Sequence, residues 1–256
     1  MRRRTAIITL VALALAALVP LGGWAWAKTG RTLMNGIDGR PGRAEAAAAR
    51  VRPALERDLA ARGLAFGAPV FVRVFKREAQ LELWLRARDG AYRLFRTYPV
   101  CAFSGELGPK RRQGDNQAPE GFYRVAAGQL NPASQFHLSF NLGYPNAYDR
   151  AHGYTGDFLM VHGACVSIGC YAMGDAAIEE IYTLVAAALA GGQRAFDVHA
   201  LPFRLTTAAL AAERDSPWHD FWSELKPGYD AFERTQRPPT IGVAARRYVI
   251  GEAQGL

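Results

Sequence analysis

Cysteine is scarce in this 256-residue chain, three in all, and what is missing around the three excludes several chemistries. Cys165 and Cys170 do not form a C-x-x-C redox or zinc spacing, and no second cysteine pair exists to complete a zinc ribbon. There is no H-E-x-x-H and no Glu-x-x-His. Asp149, His152, Asp157 and His162 are the residues from which a zinc peptidase site would have to be built, without the helical spacing such sites use. No metal and no cofactor are therefore expected, and no internal repeat announces a solenoid. Acidic residues are also short, 23 against 31 Lys and Arg, for a formal net charge of +8. That balance suits an anionic partner. The basic residues are scattered (Arg2 to Arg4, Arg50 to Arg62, Lys110 to Arg112, Arg246 and Arg247) with no aromatic-rich module around them, so nucleic acid is not the expected partner.

What is present begins with hydrophobic residues at 50% of the chain, enough for one substantial core. Arg2, Arg3 and Arg4 precede an uncharged apolar stretch from Thr5 to Ala27, the pattern of an export signal. Ala25-Trp26-Ala27 offers a small-x-small cleavage site, while residues 5–27 are also long enough to cross an apolar layer of about 30 Å as a membrane tether. In either form the rest of the chain is expected outside the cytoplasm, in the periplasm. In an oxidising compartment three cysteines are an odd count, so at least one sulfur is a free thiol or pairs with another molecule.

Thr29 to Gly42 is rich in Gly, Arg and Asn and reads as a tether, followed by an Ala-rich helical stretch from Ala44 to Arg62 that Pro53 interrupts. From Phe66 the apolar period becomes two, predicting strands at Phe71 to Phe75, Leu81 to Leu85 and Tyr92 to Tyr98, with Asp89-Gly90 as a hairpin turn. Further strands are expected at Phe122 to Val125, Phe136 to Phe140, Phe158 to Val161, Phe196 to Val198 and Tyr248 to Ile250. A helix follows Asp175, taken as its N-cap, and runs with Ile178, Ile181, Tyr182, Val185 and Leu189 on one face until Gly191-Gly192. The fold class expected is mainly β (α+β). Its segments are 1–27 for the signal or anchor, 28–65 for tether and helix, 66–200 for a β-rich catalytic domain, and 201–256 for a helical extension carrying Trp218, Phe221, Trp222, Tyr229 and Phe232.

Chemistry concentrates between Phe158 and Asp175. An apolar strand delivers His162, Gly163 lets the chain turn, and Ser167-Ile168-Gly169 leads into Cys170. A free cysteine is only a few per cent thiolate at neutral pH, so a nearby imidazole is wanted to take its proton. Gly169 before Cys170 would let backbone N–H groups approach a substrate carbonyl.

These residues resemble the YkuD-type L,D-transpeptidases, whose signature is His-Gly followed by Ser-x-Gly-Cys. The run His162-Gly-Ala-Cys-Val-Ser-Ile-Gly-Cys-Tyr-Ala-Met173 is most similar to the YafK-like branch, in which the loop between His and Cys is short. Ala118-Pro119-Glu120-Gly121-Phe122-Tyr123, Ser139 to Asn146 and Phe221 to Tyr229 extend the likeness over roughly residues 66–250. The resemblance implies that Cys170 attacks the meso-diaminopimelate carbonyl of a peptidoglycan stem peptide, with His162 as base and later acid, Ser167 shaping the turn, and the backbone around Ile168 to Cys170 as oxyanion site. Gly163 and Tyr171 are expected beside the substrate. Many relatives place an arginine two residues after the nucleophile, where this chain has Ala172, so Arg150 or Arg124 is the expected replacement. The resulting thioester has three fates: hydrolysis that releases a peptidoglycan-linked lipoprotein, which the branch favours; cross-linking of stem peptides; or lipoprotein attachment. A non-catalytic wall-binding module is the remaining alternative. The three cysteines allow three pairings, of which Cys101 with Cys165 leaves Cys170 free.

Overall fold

The computed structural model describes residues 42–251. The expected signal segment and most of the expected tether lie outside them. No helix among the described residues is long and apolar enough to cross a membrane.

Helix α1 (Arg43–Ala60) is amphipathic and buries Ala47, Leu55 and Leu59, and Pro53 sits inside it without ending it. Strands β1 (Val70–Phe75), β2 (Gln80–Arg86), β3 (Tyr92–Pro99), β5 (Gly121–Ala126) and β10 (Ala195–Leu201) form one sheet in the order β3-β2-β1-β10-β5. All its pairs are antiparallel except β1 with β10. Every residue of β1 is buried, as expected of a strand covered on both faces. A second sheet has the order β4-β9-β8-β7-β6, from β4 (Ala102–Phe103), β6 (Leu130–Asn131), β7 (Ser139–Asn141), β8 (Met160–His162) and β9 (Tyr171–Ala172). Within it β8 and β9 run parallel.

Helix α3 (Asp175–Ala190), which follows the short α2 (Ala147–Ala151), buries Ile178, Ile181, Leu184 and Val185 and touches both sheets, through β1 and β10 on one side and β7 and β8 on the other. It therefore joins the site-bearing sheet to the main core. The far face of the first sheet is covered by α5 (His219–Thr235), preceded by α4 (Thr207–Ala212) and followed by a hairpin of β11 (Thr240–Ala244) and β12 (Arg247–Gly251). Phe232 of α5 sits 4.6 Å from the Phe71 ring and 5.0 Å from Trp84, between centroids. Burying a large apolar side chain of this kind contributes roughly 1.5–3 kcal/mol.

One buried ion pair fastens the extension to the rest. Lys76 and Glu120 are 3.0 Å apart with both side chains fully covered. Glu120 also accepts hydrogen bonds from Gly108 N at 2.7 Å and from Trp222 Nε1 at 2.8 Å, and Lys76 donates to the carbonyls of Glu106, Gly108 and Ala118. The pair is thus compensated on every side, the condition under which buried charge is tolerated. It holds the loop 106–118 against α5.

Three expectations shift. The strand expected over Phe136 to Phe140 is confined to Ser139–Asn141, because His137 takes a left-handed φ of 67° and the Phe136 and Leu138 carbonyls both face Gly163 N. The strand expected from Phe158 starts only at Met160, since Phe158 also has positive φ. Asp175 does not cap α3. The N-cap is Gly174, and Asp175 Oδ1 instead accepts from Ala164 N at 2.7 Å.

Candidate active site

The parallel register pairs Val161 with Tyr171 and His162 with Ala172, which sets Met160 beside Cys170. Cys170 itself lies at the bend just before β9, and its side chain is placed by contacts with the β8 backbone. Met160 N donates to Cys170 Sγ at 3.4 Å, and the thiol reaches Phe158 O at 3.6 Å. His162 is buried, its ring 4.8 Å from that of Phe136. Its Nδ1 lies 2.5 Å from Gly163 O. A carbonyl can only accept, so Nδ1 carries the hydrogen and Nε2 is left with a bare lone pair, the tautomer that can take a proton.

Electrostatics keep both groups neutral. Burial pushes the Cys170 thiol up from its ordinary value, against smaller opposing pulls from Met160 N–H and the Lys110 ammonium. Burial pushes the His162 imidazole down, with the Gly163 carbonyl opposing. At neutral pH the two stand as thiol and imidazole, so the arrangement suits proton transfer during attack rather than a preformed ion pair.

The loop between them is closely specified. A Cβ on Gly163 would lie 2.6 Å from Asp175 Oδ1 and 2.8 Å from Phe136 O, so no larger residue fits after His162. Gly169 has φ of 134°, open in practice only to glycine. Ser167 Oγ accepts from Gly169 N at 3.1 Å and Cys170 N at 2.9 Å, and donates to Cys170 O at 2.8 Å. A disulfide between Cys101 and Cys165 ties the loop to the residue before β4, and Cys170 is the free cysteine. His137, Phe158 and Ala164 hold left-handed φ values of 67°, 53° and 53° on the segments bounding the pair. Left-handed backbone at non-glycine residues costs roughly 1–2 kcal/mol each, and such strain tends to collect at functional sites.

The structure brings Cys170, His162, Ser167, Gly169 and Gly163 together, and separates the other expected residues. Tyr171 is fully buried and its hydroxyl donates to Pro119 O at 2.6 Å, so it braces the floor and is not exposed to substrate. Gly163 likewise serves close packing. Arg124 lies on β5 opposite Asp197, in the other sheet. Arg150 is exposed on α2 with its guanidinium on the carbonyl of Pro145. The oxyanion donors expected around Ile168 to Cys170 are partly spent, since the N–H groups of Gly169 and Cys170 both point at Ser167 Oγ.

A cation near the thiol was not anticipated. Lys110 is buried, donates to Asp115 Oδ1 at 2.5 Å and to Arg112 O at 3.0 Å, and is the charged group that acts on Cys170. Asp115 also collects the N–H groups of Arg111, Arg112 and Gln117, which folds the loop around one carboxylate. In sequence, Lys110-Arg111-Arg112 looks like ordinary basic surface; its only distinguishing sign is the Asp115 a turn later. Among the described residues no cluster of His, Cys, Asp and Glu could hold a metal ion.

Residues 69–196 match the model of the L,D-transpeptidase catalytic domain family, YkuD. YafK of Escherichia coli strain K12, which carries an L,D-transpeptidase name, is 50% identical over 186 residues, 73% of this chain and 75% of that protein. The chain belongs to the YkuD family. Family members act on peptidoglycan stem peptides, so this is a peptidoglycan-related enzyme of the L,D-transpeptidase type, YafK-like in sequence. Among solved structures, the helical cell shape determining protein Pgp2 of Campylobacter jejuni has a TM-score of 0.43 and 19% identity, over 69% of this chain and 67% of that one. A point mutant of the same protein has a TM-score of 0.44 and 21% identity over 64% of this chain, which spans only 57% of that chain's length.

Proposed function

We propose that the protein is a periplasmic cysteine hydrolase that cuts the amide between the meso-diaminopimelate carbonyl of a stem peptide and the amine of a linked lipoprotein. The observation that carries the proposal is the division of the three sulfurs: Cys101 and Cys165 are joined, while Cys170 stays free against Met160 of β8, the strand that ends in His162. The disulfide also supports an oxidising compartment, in keeping with the arginines and apolar stretch at the N-terminus.

His162 Nε2 takes the thiol proton as Cys170 Sγ attacks the carbonyl carbon. The tetrahedral intermediate collapses with cleavage of the C–N bond, and His162 returns the proton to the departing amine. A water molecule then gives a proton to the same nitrogen and attacks the thioester, releasing a carboxylic acid and regenerating the thiol. If an amine of a second stem peptide or of a lipoprotein resolves the thioester, the product is a new amide and the enzyme acts as a transpeptidase.

Incubating the full chain with lipoprotein-linked sacculi and with muropeptides separates these outcomes. Hydrolysis predicts free lipoprotein and no new cross-link; a new cross-link with no released protein overturns it in favour of transpeptidation. Cys170→Ala is expected to abolish turnover while wall binding survives, and undiminished function in that variant would leave only a binding module.

A further inference from the structure

The loop that carries Lys110 also borders a cleft of about 550 Å³. Neither Cys170 nor His162 lines it, yet the loop connects the two places. Pro109 and Arg111 face the cleft, while Lys110 between them is the residue whose charge acts on Cys170. Gln117 lines the cleft, and its carbonyl lies 3.5 Å from where a Cβ on Gly169 would stand.

The lining has a definite chemistry. The Arg111 guanidinium sits over the rings of Tyr154 and Trp218, 5.7 Å from each centroid. Arg111 and Arg112 are both exposed, and neither has an ion-pair partner among the described residues. Two carboxylates also line the cleft: Asp115 is already engaged by Lys110 and three backbone N–H groups, and Glu106 forms no ion pair with either arginine among the described residues. Two open guanidinium groups beside two aromatic faces form a receptor for a carboxylate on a short, extended ligand.

We infer that this cleft is the donor-side specificity subsite, in which Arg111 and Arg112 bind the free α-carboxylate of the D-glutamyl residue that precedes diaminopimelate in the stem peptide. The inference rests on the peptidoglycan function proposed above and adds the group that is read. It also supplies an anion-binding role that the missing arginine after Cys170 leaves open.

The test titrates the full-length Cys170→Ser protein, which cannot turn over, with two muropeptides differing only in whether the D-glutamyl carboxylate is free or amidated. Arg111→Ala/Arg112→Ala is expected to weaken binding of the free acid about tenfold, equivalent to about 1.4 kcal/mol. Amidation should cost the unaltered cleft a similar factor and cost the double variant nothing further. The exposed Arg88→Ala serves as a charge control with unchanged affinity. Equal affinity of the double variant and the unaltered cleft, or a loss that is the same for both muropeptides, would overturn the inference. Turnover by the Cys170 enzyme is measured separately, so a chain that binds in this way without turning over would defeat the hydrolase and leave the cleft assignment standing.

Discussion

Replacing both Cys101 and Cys165 by alanine tests whether the three sulfurs divide into one structural pair and one reactive thiol. The bridge spans 64 residues of chain, from the entry to β4 to the loop after His162. Closing a loop of that length removes about 4 kcal/mol of denatured-state freedom on the chain-entropy account, a large share of the roughly 5–15 kcal/mol that holds a typical domain together. With a urea m-value of about 2–3 kcal/mol/M, the unfolding midpoint should fall by roughly 1.5–2 M, with a slope that is if anything steeper because the uncrosslinked denatured chain exposes more surface. Unfolded, unreduced wild type should titrate one thiol and reduced wild type three. The double variant should keep its single thiol and its reactivity, because the bridge supplies neither the proposed base His162 nor the groups that contact or act on Cys170, namely Met160 N–H, Ser167 and Lys110. A midpoint shift below about 0.5 M, or loss of Cys170 alkylation in protein that is still folded, would refute the division.

Alkylation of Cys170 against pH should rise only in the alkaline range, above the ordinary thiol value of 9.0, because burial raises its pKa; a reactive plateau already present at pH 6 would mean an ion pair with His162. The lowered His162 pKa places the acid limb of turnover below 6.5, the imidazole being active once neutral, and a pH–rate profile checks it. His162→Ala should lower the acylation rate roughly 10²–10⁴-fold while the thiol still titrates, and a smaller loss would assign the base elsewhere. Gly163→Ala forces a methyl to 2.6 Å from Asp175 Oδ1 and 2.8 Å from a carbonyl, so it should cost about 1–3 kcal/mol in thermal or urea unfolding. If it folds with wild-type stability, the closeness of the His162 turn is not a constraint.

Elements whose side-chain pattern follows from local burial were legible in the sequence. The strand-forming runs located β1, β2 and β3, of which β1 is buried at every position, and the apolar face from Ile178 located α3 because it buries one consistent set of positions. The two-residue strands β4, β6 and β9 were not legible, since a pair of residues carries no period and exists only through its neighbours. The same holds for Asp175. Its place at the start of a helix suggests a cap, but a tertiary demand from Ala164 N takes the carboxylate.

The site divides along the same line. Cys170 and His162 stand out because reactivity needs particular residue types, whereas Tyr171 looks identical in sequence whether its hydroxyl meets a substrate or Pro119 O. Ser167 shows what the separation of roles leaves to be decided. Its hydroxyl occupies the N–H groups of Gly169 and Cys170, the donors nearest the thiol. For those donors to receive a developing oxyanion, the hydroxyl must turn away and exchange two accepted bonds for the substrate oxygen. The serine would then keep two N–H groups aligned until a carbonyl arrives, at the cost of one rotation about a single side-chain bond, a smaller rearrangement than moving the backbone whose conformation Gly169 already sets.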